Sequence, residues 1–268
     1  MLKDITLGQY FPGDTVAHRL DPRTKILLVV LYIAALFNAG GLLTYGLMAL
    51  CLFLSVRVSR VRWKAMVRGL RPVLFIVIFT ALLNLFFTPG ERTFFQFGVL
   101  RLTDGGVRTA CFMVLRILLL IMGTFLMTYT TSPIALTDGL ERLLNGLKRF
   151  RVPVHELAMM MSIALRFIPT LIEETDKILS AQKARGADME SGNLFQRARA
   201  MLPVLVPLFI SAFRRADELA TAMECRCYHG GEGRTRLHVL RYAARDYAAL
   251  AMGAAVCVFV IVSGRFGW

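Results

Sequence analysis

Apolar positions in this chain come in long blocks, not in the alternation of a strand. No charged side chain lies between Lys25 and Arg57. Residues 72–88, 109–130 and 247–264 form three more apolar runs, with Arg116 the one charge among them. Each run is close to the ~20 residues that a helix needs to cross a bilayer core. The first block is too long for one crossing, since 31 helical residues would rise roughly 46 Å against a core of ~30 Å. Asn38-Ala39-Gly40-Gly41 near its middle reads as a tight turn. The pattern therefore predicts two short spans, about 26–39 and 41–56, and five transmembrane helices in all.

Between the fourth and fifth spans the pattern changes. Ser132-Pro133 is a helix start, with the hydroxyl as N-cap and proline in the first turn. Leu136, Leu140, Leu143, Leu144 and Leu147 follow at helical spacing, which predicts an amphipathic helix of about 15 residues. Residues 149–153 break it. Two longer helices are predicted next, over 154–185 and 195–227, separated by a loop. Each begins apolar, contains proline (Pro169; Pro203 and Pro207), becomes charged in its second half, and ends on an arginine between small residues. The endings are Ala184-Arg185-Gly186 and Cys225-Arg226-Cys227. A helix that changes from apolar to charged along its length lies against or partly in the membrane and emerges from it. On this reading both arginine tips point away from the bilayer toward a partner. Arg185 is equally compatible with capping, because a cation in the last turn stabilises the macrodipole by about 0.3–1 kcal/mol.

Charge orients the chain. Of its residues 56% are hydrophobic, more than the ~45–50% usual in soluble domains, and the net charge is +14. Arg19, Arg23 and Lys25 flank the first block, and Arg57, Arg60, Arg62, Lys64, Arg68 and Arg71 follow it without an acid up to residue 71. Two basic flanks belong on the cytoplasmic side, where anionic lipid attracts them. Residues 89–106 have balanced charge and suit the outside. The expected fold is an all-α integral membrane protein with a four-span N-terminal domain (1–130), a cytoplasmic domain of long helices (131–245) and a fifth span (246–268). The N-terminus is inside and the C-terminus outside. Basic residues are not interleaved with aromatics as single-stranded nucleic acid requires, so no nucleic-acid partner is expected. Three of the five cysteines fall in spans, and disulfides are not expected.

Motifs for chemistry are sparse. Cys225-x-Cys227-x-His229 lacks the four-ligand spacing of structural zinc. His155-Glu156 lacks the second histidine of a zinc-protease helix, since Met159 stands there. No metal site and no catalytic residue is predicted. There is no Gly-Lys-Ser/Thr phosphate-binding loop, so any ATP chemistry belongs to another chain. Arg116 at membrane depth must face a polar partner, either in a functional path or in a structural pair. Met159, Met160 and Met161 form a soft patch, either ordinary core or an adaptable surface for another membrane protein.

Five stretches together resemble one family. YFPGDTVAHRLDPRTKI (10–26), Thr131-Ser132-Pro133 with LRFIPTLIEE (165–174), and the endings AQKARG (181–186) and AMECRCY (222–228) are similar to the transmembrane T component of energy-coupling factor (ECF) transporters. The resemblance implies a scaffold of an importer for a vitamin or transition-metal ion. Two cytoplasmic ABC-type ATPases would dock on it, with ATP and Mg in those subunits and no cofactor in this chain. A small membrane protein, the S component, would capture the substrate, with Met159, Met160 and Met161 as candidate contacts. Ala184, Arg185, Gly186, Cys225, Arg226 and Cys227 match the family's coupling motifs. Cys225 and Cys227 depart from the more usual Ala and Gly, which shifts the expected helix stop after Arg226 toward Gly230. The alternative is a stand-alone secondary transporter, which would need repeated spans and polar residues at mid-membrane. A reporter fused after Trp268 is expected to behave as extracytoplasmic; cytoplasmic activity there would overturn the five-span topology.

Overall fold

The structure is a computed structural model that describes residues 10–89, 93–97, 100–187, 193–230 and 239–265. It divides into two compact units. Among the described residues, one comprises those from 10 to 140 with 240–265, and the other those from 141 to 239.

The first unit starts with α1 (Pro22–Asn38) and α2 (Leu42–Ser59). The turn between them falls on Asn38 to Gly41, as the glycine pair predicts. Thr44 Oγ1 donates to the Gly41 carbonyl (2.7 Å) and accepts from the Gly41 amide (3.2 Å), which closes the start of α2. α3 (Trp63–Phe87) follows, then a short antiparallel hairpin of β1 (Thr93–Phe97) and β2 (Leu100–Thr103), then α4 (Asp104–Thr130). The hairpin pairs Thr93 with Thr103 and Phe97 with Leu100. It is a small addition to the otherwise helical elements described, in the segment that the sequence marks only by its balanced charge. Thr103 caps α4 by accepting from the Gly106 amide (3.0 Å). α5 (Pro133–Leu144) begins at Ser132, whose Oγ accepts from the Ala135 amide (3.2 Å). It is shorter than expected and passes into a 3₁₀ turn, Asn145–Phe150. Its buried side is Thr137 and Gly139, whereas Leu140 and Leu144 of the anticipated leucine stripe are exposed.

In the second unit α6 (Val154–Ala184) and α7 (Leu194–Glu224) run through their prolines without a break in the helix. α8 (Ala244–Arg265) returns to the first unit and packs on α1. That contact depends on absent side chains: a Cβ on Gly253 would overlap Leu28, and one on Gly264 would press on the Asn38 carbonyl. Leu36, Tyr45, Met48, Met66 and Val260 form the centre of the core.

Among the described residues, five helices are long and apolar enough to cross a membrane: α2, α3, α4, α6 and α8. The count equals the expected one, but the membership differs. α1 has 17 residues, at the lower bound for a span, while α6 qualifies although the sequence reading placed it in the cytoplasmic part.

Charge holds the ends of these helices. Asp21 caps α1 by accepting from the Arg23 amide (2.9 Å), and both its oxygens accept from the Arg23 guanidinium (3.1 and 3.0 Å). Arg23 also donates to the Leu240 carbonyl (3.2 Å) and stacks 4.1 Å from the Tyr242 ring. Asp246 accepts from the amides of Asp21 and Ala243, both at 2.8 Å. Lys25 donates to the carbonyls of Thr130 (2.8 Å) and His18 (3.2 Å).

Arg116 takes the structural alternative. Its Nε donates to Tyr45 Oη (2.9 Å) and its terminal nitrogen to the Ala39 carbonyl (3.1 Å), so a charge inside α4 holds the α1–α2 turn. Arg116→Met would leave two buried polar groups short of a donor. This is expected to cost about 2 kcal/mol, read as a lower melting temperature of the purified chain in detergent. An unchanged melt would mean that the guanidinium does not hold the turn.

Candidate functional site

The candidate residues lie in the second unit, where α6 and α7 run antiparallel. Three contacts set the direction. Gln182 Nε2 donates to the Pro203 carbonyl (3.3 Å), the Arg215 guanidinium pairs with Glu174 (2.8 Å), and Tyr228 Oη donates to Met159 Sδ (3.1 Å). As α6 advances, its partners on α7 recede. This corrects the expectation that both helices emerge from the bilayer with their tips pointing the same way: antiparallel helices send their C-termini in opposite directions. By this register Arg226 lies beside residue 161 of α6, so the two tips are on the order of 35 Å apart along the pair at 1.5 Å per residue.

The two endings have the same backbone design. At the end of α6, Ala187 N–H donates to the Gln182 carbonyl and Gly186 N–H to that of Lys183, each at 3.0 Å. At the end of α7, Tyr228 N–H donates to the Met223 carbonyl (3.1 Å) and Cys227 N–H to that of Glu224 (2.8 Å). Both are Schellman closures, in which a left-handed residue turns the chain back over its own last carbonyls. Gly186 takes that position at φ 84 and Cys227 at φ 56. The helix stop after Arg226 therefore falls at Cys227, not at Gly230, because the backbone closes there without glycine. In each case the arginine immediately precedes the left-handed residue. Arg185 and Arg226 are exposed, as are Ala184, Gly186, Cys225 and Cys227. The closure turns the chain away behind the arginine and leaves the guanidinium at the extreme end of the helix. Cys225 and Cys227 are free thiols.

The methionine patch divides. Met159 is half-buried under Tyr228, while Met160 and Met161 are 57% and 46% exposed. Beside Met159 a groove of about 510 Å³ runs along Ile163, Met223 and Arg226. A second groove between the helices is lined by Phe167, Ala212, Ala216 and Ala220, where the alanine ladder leaves room. Other α7 positions, among them Phe209, Ile210 and Phe213, remain exposed and apolar. His155 Nδ1 meets Glu141 Oε1 at 2.9 Å, which ties the start of α6 to the last turn of α5.

Tyr228 and the Glu174–Arg215 pair were missed in the sequence reading, although they set the register that separates the tips. The signal was present in two charged doublets, Glu173-Glu174 and Arg214-Arg215, one in each helix. Pairing them requires knowing that the helices are antiparallel.

Comparison with known proteins gives one consistent result. A family model described as cobalt transport protein, CbiQ, matches residues 13–237. A protein of Clostridium kluyveri named energy-coupling factor transporter transmembrane protein EcfT is 52% identical over 100% of this chain and 99% of its own length. Proteins of the same name from Thermosediminibacter oceani and Bacillus subtilis are 54% and 48% identical, covering 100% and 93% of this chain and 100% and 94% of their own.

Gly186→Ala is expected to cost about 1 kcal/mol, because an L side chain is strained at that φ. Roughly fivefold faster hydrogen exchange at the Ala187 amide would show it. Cys227→Gly should slow exchange at the Tyr228 amide; faster exchange there would mean that the cysteine itself stabilises the closure.

Proposed function

The chain belongs to the CbiQ family of cobalt transport proteins and is a transmembrane component of an ECF transporter, and we propose that it is the coupling scaffold of that importer. Arg185 and Arg226 each enter a groove on one of two cytoplasmic ABC-type ATPases. ATP and Mg are held by those subunits, in keeping with the absence of a phosphate-binding loop from this sequence. Closure of the ATPases changes the spacing of the two tips and strains the α6–α7 pair. The motion passes to a substrate-binding S component, which meets the exposed apolar side chains of the pair, including Met160, Met161, Phe209 and Phe213. The substrate, a vitamin or a transition-metal ion, is chosen by that component. The scaffold sits in the plasma membrane with its N-terminus and the α6–α7 unit on the cytoplasmic side, which the basic flanks favour.

One observation carries this reading: two helix ends of the same backbone design present an exposed arginine at opposite ends of an antiparallel pair. Capping alone explains one such arginine but not the shared closure. Two tips on the order of 35 Å apart suit two subunits better than one. The rival reading, a stand-alone secondary transporter, loses its main candidate, since Arg116 is engaged by Tyr45 and the Ala39 carbonyl.

Arg185→Glu and Arg226→Glu are each expected to weaken retention of one ATPase subunit by about 2 kcal/mol or more, roughly thirtyfold in affinity. The double variant should lose both subunits and uptake. Co-purification from membranes with quantified ATPase stoichiometry, alongside substrate uptake, checks this. Full uptake in the double variant would overturn it.

A further inference from the structure

The side of α3 that faces away from α4 carries an ordered line of side chains. Met66 and Val77 of α3 are buried, and Gly69 lies so close to Phe125 of α4 that a Cβ would clash. On the opposite side Lys64, Arg68, Arg71, Phe75, Ile78 and Leu82 follow one another at steps of four, three, four, three and four, so they fall on one face. All six are exposed, Phe75 to 79%. The first three are cationic and the last three apolar. No acid lies in residues 57–71. Arg57 and Arg60 are exposed at the adjoining end of α2. Arg57 stacks over Phe53, whose ring also packs on Trp63 at 5.9 Å, the aromatic-and-cation pairing found at headgroup level.

We propose that this line is a binding site for an anionic phospholipid. The phosphate lies against Lys64, Arg68 and Arg71, and an acyl chain runs along Phe75, Ile78 and Leu82. From Arg71 to Leu82 the helix rises roughly 16 Å, the depth of one leaflet of a ~30 Å core. The tendency of basic residues to remain on the cytoplasmic side accounts for their presence at this end of α3. It does not require them to stand directly above an exposed apolar line on the outward face. A phospholipid has both halves of the complement in one molecule and in this order.

The test is lipid titration of the purified full chain in detergent, read by native mass spectrometry, with phosphatidylglycerol and phosphatidylcholine of the same acyl chains. Phosphatidylglycerol should bind about tenfold more tightly. Lys64→Gln with Arg68→Gln and Arg71→Gln should bring it to the phosphatidylcholine level. Neutralising the exposed Lys148, Arg149 and Arg151 should leave the preference intact. If the triple variant fails to insert, Arg68→Lys with Arg71→Lys should keep the preference, and added salt should erode it in the unaltered chain. Equal binding of the two lipids, or a preference that survives the triple neutralisation or is lost equally in the control, would overturn the proposal. So would a photocrosslinker at position 75 that captures protein and no lipid in native membranes.

Discussion

Two buried carboxylates hold the membrane unit together. Asp21 is 7% exposed and Asp246 1%, and burying an unsatisfied carboxylate would cost several kcal/mol. Here each is met by donors that only the assembled fold brings together. Asp246 accepts the Asp21 amide from 225 positions away in the chain. The Asp21–Arg23 pair reaches the segment before α8 through the Leu240 carbonyl and Tyr242. Lys25 adds the last carbonyl of α4, that of Thr130. The start of the first helix is thereby tied to the start of the last helix and the end of the fourth. The glycine contacts of α8 with α1 and the core around Leu36 and Val260 follow from that placement.

The same residue type does four different jobs in this chain, and its surroundings decide which. Arg23 is half of a bidentate clamp, where a planar fork matches a carboxylate as lysine could not. Arg116 reaches the Tyr45 hydroxyl and the Ala39 carbonyl and so steadies a turn between two apolar helices. Arg215 sets a helix register through Glu174. Arg185 and Arg226 are exposed beyond closed helix ends, where the backbone is already satisfied by its own reversal. Exposure at a closed helix end distinguishes the last two from the first three.

The antiparallel pairing of α6 and α7 gives the second unit its character. By this register the charged half of each helix lies beside the apolar middle of the other, so the pair has no single polar end. The apolar side chains of α7 are left exposed, and the arginine tips lie far apart. A duplicated sequence plan thus places its two arginines at opposite ends of the pair because of direction alone.

Much of this was legible in the residues. The apolar blocks located α2, α3, α4 and α8, the Asn38–Gly41 turn split the long block, and Ser132-Pro133 marked the start of α5. The two long helices and their small-Arg-small endings were visible from composition along each segment. These features are local, and they follow from periodicity, turn chemistry and capping. Four matters depended on distant residues and were decided only by the tertiary structure. Arg116 could have faced a path or a partner until Tyr45 and the α1–α2 turn came into reach. The stop at Cys227 depended on the backbone closing in a left-handed conformation that favours glycine. The direction of α7 relative to α6 depended on which charged doublets met. The burial of Asp21 and Asp246 depended on the first and last helices packing together. The sequence by itself determined which segments are helices and what each presents; only three-dimensional pairing decided which ends meet, because the interactions that choose it join residues far apart along the chain.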